Sequence, residues 1–443
     1  MANTTKGDLA VNERMLNKYH TDGVKPHLDA ETNGSAGAHG LRYNDDMLQV
    51  YDDTAHSWKP IAAQSKFVKY TAIIDFTKSD PEGMISYADD ATGMTKGWSG
   101  WKTQRIFKDL KTAIMVNGVI QNYLNEDNIA QLAVGGAADI TTLGNDVMTI
   151  YPYRIGYRIE WQDADHLVVS VTDNPADPRY NYDAFSLDAY NDCDWIGVGV
   201  FKGHVSSGKL YSSSGKAVTV SQTEDTFRTQ ARARGTGYQL GSNGAMKLWQ
   251  CLYIICHGTL NSQSAVGMGY VKSTHSAGVV TGGTNEYGFD NELCASADKT
   301  DQEHQVKCLG REDAWGNYWE FVDGLGSDAS RNVMTCQCAK DFRTDCQGYE
   351  NNGNGGVSAN IGNWMKKPQG GSNAGFVAKD VSGASDSTYF CDYAYLSASC
   401  LALFGGSWND AARAGAFRLF VSGAFSFSDA AVGARLMYMH KEA

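Results

Sequence analysis

The stretch from Phe404 to Arg435 constrains the fold of this chain more than any other segment. Seven of its positions favour a backbone or anchoring role that few residue types can fill: Gly405, Gly406, Trp408, Gly415, Phe417, Gly433 and Arg435. Eleven positions between them share neither polarity, size nor periodicity: Ser407, Asp410, Arg413, Arg418, Phe420, Ser422, Gly423, Phe425, Phe427, Asp429 and Ala431. A core strand alternates apolar and polar residues, and a catalytic loop gathers titratable groups. This segment does neither, so it predicts a rigid scaffold that presents a binding surface, with no catalytic residue.

The composition favours a loop-rich, strand-containing globular protein. The chain has 443 residues, of which 42% are hydrophobic and 11% aromatic, with 48 glycines and 7 prolines. Glycine punctuates turns and destabilises helix interiors, so this balance disfavours a helical bundle. The length allows two or three domains with a substantial core.

The charge and hydropathy patterns argue against two classes of partner. The net charge is −12, and no run of lysine or arginine supplies the basic surface that nucleic-acid binding requires. The longest uncharged apolar candidate, Leu252 to Cys256, is far shorter than the roughly 20 residues of a membrane helix. We expect no nucleic-acid binding, no membrane insertion and, without a secretion signal, synthesis in a cytoplasm.

The ten cysteines form no regular disulfide framework, so reduced thiols are expected. The group Cys336, Cys338 and Cys346 suggests zinc, but it lacks a second CxxC pair and a neighbouring histidine. The prediction from sequence is no metal and no cofactor.

Residues 1–62 differ from the rest and predict a separate N-terminal segment. Leu41 and Tyr43 alternate before an Asn-Asp-Asp turn, and Leu48 and Val50 alternate after it, which predicts a hairpin. An isolated hairpin is marginal in water, so it would pack against copies of itself or an assembly partner. A flexible tail with a fortuitous alternation is the alternative.

Residues 63–443 predict one larger domain of strands and a helix. The expected strands are Val68 to Phe76, Ala113 to Tyr123, Val147 to Trp161, His166 to Val171 and Trp195 to Gly203. Trp249, Leu252, Tyr253 and Cys256 give one apolar helical stripe that Met246 extends and Gly258 ends. The Gly- and Asn-rich stretch 348–375 predicts a long surface loop.

Four patches in order resemble one family, the retroelement-diversified variable proteins, which include phage tail receptor-binding proteins. The patches are Asp146 to Arg154, Leu252 to Gly267, Leu309 to Gly324 and Gly405 to Arg435. The third patch contains Gly316-Asn317-Tyr318-Trp319-Glu320, which is similar to a motif shared with formylglycine-generating-enzyme-like domains. The resemblance implies an α+β protein with a C-type-lectin fold of that type and a small β-rich N-terminal attachment segment.

The resemblance also implies roles for the residues named above. The eleven irregular positions correspond to a variable, ligand-binding face at about 394–432, with apolar anchors at Phe420, Phe425 and Phe427 and polar contacts from Arg413 and Arg418. Framework residues would be Gly316, Asn317, Trp319, Glu320, Gly405, Gly406, Trp408 and Arg435. Glu320 would be a buried acid that needs a partner, and we expect Arg435 to be that partner.

The partners implied are a host-cell-surface protein or glycan and, through the N-terminal segment, phage tail proteins. The implied assembly is a homotrimer at the tip of a virion tail, synthesised in the host cytoplasm.

Three other functions are weaker. A bacterial variable surface or effector protein would need a signal peptide, a lipobox or a fused signalling domain, and none is recognisable. An oxidase of the formylglycine-generating type needs a reactive cysteine pair near the C-terminus, but no cysteine follows Cys400, and nothing near Cys391 or Cys400 would activate a thiolate. Trp408-Asn409-Asp410 resembles the calcium-and-sugar tripeptide of C-type lectins, yet the companion Glu-Pro-Asn element is missing.

Overall fold

The computed structural model describes residues 41–44, 47–52, 57–60 and 67–442. The chain divides into two compact units, Met1–Phe67 and Val68–Ala443. Residues 1–40, on which the prediction of an attachment segment also rests, lie outside the described part. The described part is rich in β-strands, has few helices, and its larger sheets are open.

The first unit contains a three-stranded antiparallel sheet. Its strands, in sheet order, are β1 (Leu41–Asn44), β2 (Met47–Asp52) and β3 (Ser57–Pro60). Leu41 pairs with Val50 and Tyr43 with Leu48, so the predicted hairpin is confirmed, although its turn at 45–46 lies outside the described residues. The third strand was not predicted.

Two antiparallel sheets form one part of the second unit. The four-stranded sheet has the order β5 (Ile85–Asp89), β4 (Lys69–Asp75), β10 (His166–Thr172), β9 (Gly156–Trp161). The six-stranded sheet has the order β14 (Tyr238–Leu240), β27 (Arg435–His440), β11 (Trp195–Lys202), β8 (Asp146–Tyr151), β6 (Lys111–Val116), β7 (Val119–Tyr123). The last strand of the chain therefore lies inside this sheet, between two strands that precede it by far in sequence.

An eight-stranded sheet carries the C-terminal segment. Its order is β19 (Glu350–Asn351), β18 (Val333–Thr335), β17 (Trp319–Ser327), β24 (Leu401–Phe404), β25 (Leu419–Gly423), β23 (Tyr393–Leu396), β20 (Ile361–Trp364), and β26 (Val432–Gly433) pairs in parallel with β17. Strands β23 and β25 are also parallel. The remaining pairs are short: β12 (His204–Ser206) with β13 (Lys209–Tyr211), β15 (Lys307–Cys308) with β16 (Arg311–Glu312), and β21 (Lys367–Pro368) with β22 (Ala378–Asp380).

The described helices are α1 (Trp98–Trp101), α2 (Glu224–Arg232), α3 (Asn243–His257) and α4 (Ser262–Ala265). Helix α3 is the predicted one. The Ser242 hydroxyl accepts a hydrogen bond from the Ala245 N–H at its start, and Gly258 ends it in the left-handed region at φ 60°. Every residue of α3 is buried, so the predicted single apolar stripe understates its role as the central core helix. In the described residues, no helix is long and apolar enough to cross a membrane.

The predicted partnership of Glu320 and Arg435 is confirmed. Arg435 Nε donates to Glu320 Oε2 at 2.7 Å, and both residues are buried. The same guanidinium donates to the carbonyl oxygens of Gly199 and Val200, at 3.0 and 2.7 Å. Because the Arg435 side chain forms hydrogen bonds to residues of β11 and β17, it links the last strand of the chain to the eight-stranded sheet.

Candidate functional site

A depression of about 400 Å³ opens on the eight-stranded sheet, where the C-terminal segment crosses it. It is lined by Trp319, Tyr393, Tyr395, Leu403, Ser407, Asn409, Asp410, Arg413, Arg418, Phe420, Phe427, Asp429, Ala431 and Val432. We call this feature the C-terminal depression. Its lining comes from β17, β23, β24, β25 and β26 and from the loops that follow β24 and β25.

The C-terminal depression brings together eight of the eleven irregular positions. These are Ser407, Asp410, Arg413, Arg418, Phe420, Phe427, Asp429 and Ala431. Ser422, Gly423 and Phe425 do not line it. Ser422 and Phe425 are half-buried and Gly423 is buried, with Leu401 and Phe427 packed close to it.

Aromatic rings form the floor of the depression. Tyr395 pairs in register with Phe420 on the neighbouring strand, and their ring centroids are 4.9 Å apart. Phe420 also lies 5.5 Å from the Trp319 ring. On the other side, Tyr393 pairs with Trp364, with centroids 5.8 Å apart. Directly paired residues, and alternate residues of one strand, share a sheet face, so Tyr393, Tyr395 and Phe420 lie on the same face.

A hydrogen-bonded ion pair closes one wall of the depression. Arg418 Nη2 donates to Asp410 Oδ1 at 2.6 Å, and Arg418 Nη1 donates to the Tyr393 carbonyl at 3.2 Å. The second carboxylate oxygen of Asp410 accepts from the Ser407 N–H at 2.8 Å and from the Ser407 hydroxyl at 3.0 Å. These residues therefore act as one unit and are not independent surface groups.

Arg418 differs from the sequence-based expectation of a freely exposed contact. It is 4% exposed, and its guanidinium lies 4.8 Å from the centre of the Trp319 ring and 5.9 Å from that of Phe420. Burial lowers the pKa of this guanidinium, and the carboxylate of Asp410 opposes that effect. Ser407 is likewise buried. Pairing with Asp410 holds both side chains in the wall of the depression, so their contact with a ligand stays a prediction.

The rim carries the exposed charges. Arg413 and Asp429 are exposed, and the Arg413 guanidinium lies 5.4 Å from the centre of the Tyr393 ring. Asn409 is also exposed. Charged groups of both signs thus border an aromatic floor, an arrangement suited to non-covalent binding.

The backbone around the depression depends on glycine. Gly405 and Gly406 have φ 91° and 90°, in the region that favours glycine, as they turn the chain from β24 into the wall. Trp408 is buried at this turn, with its ring 5.1 Å from that of Tyr318. Gly316, at φ 77°, and Asn317, whose side chain bonds Asp313 and the Val279 backbone, fix the segment that leads into β17.

Sequence reasoning missed part of the lining. Tyr393, Tyr395 and Asn409 line the depression, but the expected face began at about residue 394 and left Tyr393 out. The signal was present: Tyr393-Ala394-Tyr395-Leu396 alternates aromatic residues with smaller buried ones, as a strand with one aromatic face does.

The cysteine and calcium alternatives find little chemical support here. Burial raises the pKa of the Cys391 and Cys400 thiols, which disfavours the reactive thiolate. Both oxygens of Asp410 already bind Arg418 and Ser407, so a calcium ion would have to compete with the guanidinium.

Metal-ligand groups lie elsewhere. Within residues 67–442, three or more potential ligands come together at His257, Asp290 and Cys308, which are buried, and at Asp298, Asp301 and His304, nearer the surface. Cys336, Cys338 and Cys346 form no such group in the described chain.

Solved structures of Major Tropism Determinant variants resemble this protein over most of its length. The M1 variant is 12% identical, covers 94% of this chain and 86% of its own, and gives a TM-score of 0.26. The P3c variant is 13% identical, with coverages of 92% and 83% and a TM-score of 0.25. The U1 variant is 13% identical, with coverages of 96% and 88% and a TM-score of 0.26. No protein-family model and no curated protein matches the sequence.

Proposed function

We propose that this protein is a phage tail receptor-binding protein of the C-type-lectin fold, which binds a host-cell-surface molecule through the C-terminal depression. The observation that carries the proposal is the convergence of eight irregular positions on one open concavity, although they are spread between residues 407 and 431. An aromatic floor with a charged rim is the composition expected of a recognition surface.

Different residues of the lining would make different kinds of contact with the receptor. Phe420 and Phe427 are half-buried, so they offer apolar area at little further cost in side-chain freedom. Arg413 and Asp429 are free to contact charged or polar groups of a protein or glycan. Recognition would be non-covalent, and the protein would not act as an enzyme.

We further propose that a retroelement diversifies the residues that line the depression, and that the exposed and the hydrogen-bonded positions respond differently to substitution. Exposed positions such as Arg413 and Asp429 can exchange at little cost in stability, because surface substitutions usually change it little. Ser407, Asp410 and Arg418 would exchange only as a set, since each satisfies another's hydrogen bonds.

The N-terminal unit would attach the protein to tail proteins at the tip of a virion assembled in the host cytoplasm. A homotrimer would present several depressions together. Simultaneous contact can raise apparent affinity by about 10²–10⁴ without any new contact, where geometry permits it.

Adsorption of the purified full-length protein to a panel of bacterial cells tests the proposal. We expect binding to some strains and at least tenfold weaker binding by the Arg413→Ala/Asp429→Ala variant. The matched control is Arg343→Ala, which removes an exposed arginine outside the depression and should bind like the parent. Equal adsorption by all three proteins, or none by the parent to any strain, would contradict the proposal.

A further inference from the structure

A buried cluster of mixed ligand atoms lies away from the C-terminal depression, at the C-terminal end of α3. His257 is the last residue of that helix, Asp290 precedes the 3-10 turn Asn291–Leu293, and Cys308 ends β15. All three residues are buried, and one ligand atom of each lies within 4.8 Å of the other two. The cluster therefore differs from the exposed acidic groups that are common on protein surfaces.

Two distances in the cluster are close to those between the ligands of a tetrahedral metal ion. His257 Nε2 lies 3.4 Å from Asp290 Oδ2 and 3.9 Å from Cys308 Sγ. Zinc binds nitrogen and oxygen at about 2.0–2.2 Å and sulfur at about 2.3 Å, which places ligand atoms about 3.3–3.6 Å apart. The His257–Asp290 separation already falls in this range, the His257–Cys308 separation exceeds it by about a few tenths of an ångström, and the Asp290–Cys308 separation is at most 4.8 Å.

Neighbouring groups orient the ligand atoms. His257 Nδ1 faces Glu292 Oε1 at 3.9 Å, and Glu292 Oε2 accepts hydrogen bonds from the N–H and hydroxyl of Ser99. At 3.9 Å this carboxylate is too far for a direct hydrogen bond to His257, so it places a negative charge behind the histidine without fixing its tautomer. Asp290 Oδ2 also accepts from the Leu309 N–H at 3.2 Å, which holds the carboxylate in place.

We propose that His257 Nε2, Asp290 Oδ2 and Cys308 Sγ bind a zinc ion, with water or a further donor at the fourth position. Imidazole, carboxylate and thiolate are all ligands that zinc accepts. The site is independent of receptor binding, and its role would be structural.

The position of the cluster gives that role a reason. Between α4 and β15, residues 266–306 contain only the 3-10 turns Asn285–Tyr287 and Asn291–Leu293. An ion bound by His257, Asp290 and Cys308 would tie this irregular stretch to the central helix and to β15. Because such a site does not exist in the unfolded chain, the free energy of binding would add to the stability of the fold.

Metal analysis of the purified full-length protein, expressed with zinc in the medium, tests this proposal. We expect one zinc ion per chain in the parent and a background level in Cys308→Ser and His257→Ala. The matched control is Cys251→Ser, which changes a buried cysteine that lies in α3 outside the cluster and should keep the ion. A second control, His304→Ala, should also keep it, because His304 belongs to the separate group nearer the surface.

Two further measurements distinguish loss of the metal site from misfolding of a variant. Cobalt in place of zinc should give a thiolate-to-cobalt charge-transfer band in the parent and in Cys251→Ser, but not in Cys308→Ser. Chelation should lower the melting temperatures of the parent, Cys251→Ser and His304→Ala, but not those of Cys308→Ser and His257→Ala. A parent that takes up no zinc, loss of the ion in His304→Ala, or a cobalt spectrum without the thiolate band would overturn the proposal.

Discussion

The contrast between Arg418 and Arg413 gives the sharpest test of how the C-terminal depression is built. Both arginines lie in its lining, yet Arg418 is 4% exposed and paired with Asp410, whereas Arg413 is exposed. We expect Arg418→Ala to destabilise the fold strongly and Arg413→Ala to leave it nearly unchanged. A surface made only of interchangeable side chains would tolerate both changes equally.

The magnitude follows from the lost contacts. Arg418→Ala removes the hydrogen bonds to Asp410 Oδ1 and to the Tyr393 carbonyl, together with the packing on the Trp319 ring. Breaking a buried ion pair by removing one partner costs about 3–5 kcal/mol. The Asp410 side chain is 11% exposed and keeps both bonds from Ser407, so a value near the lower limit, about 3 kcal/mol, is expected. For Arg413→Ala the expected change is within about 0.5 kcal/mol.

Urea unfolding followed by tryptophan fluorescence measures both values, and a double-mutant cycle isolates the pair. If Arg418 and Asp410 stabilise each other, the Arg418→Ala/Asp410→Ala variant loses clearly less than the sum of the single changes, by about 1–3 kcal/mol. Additive losses, or a loss below about 1 kcal/mol for Arg418→Ala, would refute the reasoning.

Two further variants test the buried charges of the core. Arg435→Met should lower the free energy of unfolding by about 4 kcal/mol or more, as measured by urea titration. The change leaves Glu320 without its closest partner and removes the hydrogen bonds to several buried carbonyl oxygens. A loss as small as that of the surface variant Arg343→Met would contradict this prediction. Burial lowers the pKa of Lys307 to about 8, and its ammonium has no hydrogen-bond partner. The unfolded chain therefore binds more protons between about pH 8 and 10.5, so this lysine makes stability rise with pH in that window. Lys307→Met should flatten the rise, while the exposed control Lys379→Met should not.

Several elements of the fold could be predicted because their signals are local. The hairpin of β1 and β2 follows from alternation on both sides of a turn, and α3 follows from its apolar spacing and from Gly258. The pairing of Glu320 with Arg435 was inferred across 115 residues, because a buried carboxylate in such a motif demands a cation.

Other elements were merged or missed for physical reasons. Ala113 to Tyr123 is two strands, because Asn117 and Gly118 take positive φ angles of 48° and 80° and form a tight hairpin turn. Val147 to Trp161 is also two strands, β8 and β9, in different sheets, and they are separated at Pro152, which has no N–H for a sheet ladder. The helix α2 was missed because it has few apolar side chains to show a helical period, although its N-cap Thr223 and acidic first turn are signals of a helix start.

At the candidate site, the sequence indicated the segment but not its internal bonds. Irregular composition was enough to predict a binding surface between Gly405 and Arg435. It could not show that Ser407, Asp410 and Arg418 form one network, since polar residues 3 and 8 positions apart pair only when the backbone brings them together.

Hydroxyl-radical footprinting of the protein on cells that it binds tests the central claim most directly. Aromatic side chains react readily with the radical, and Tyr393, Tyr395 and Phe427 line the depression. We predict that oxidation of these three falls on binding, while Tyr123 and Tyr190, which are 46% and 47% exposed outside the depression, react as in the free protein. Protection of Tyr123 or Tyr190 with no change at the depression would contradict the account.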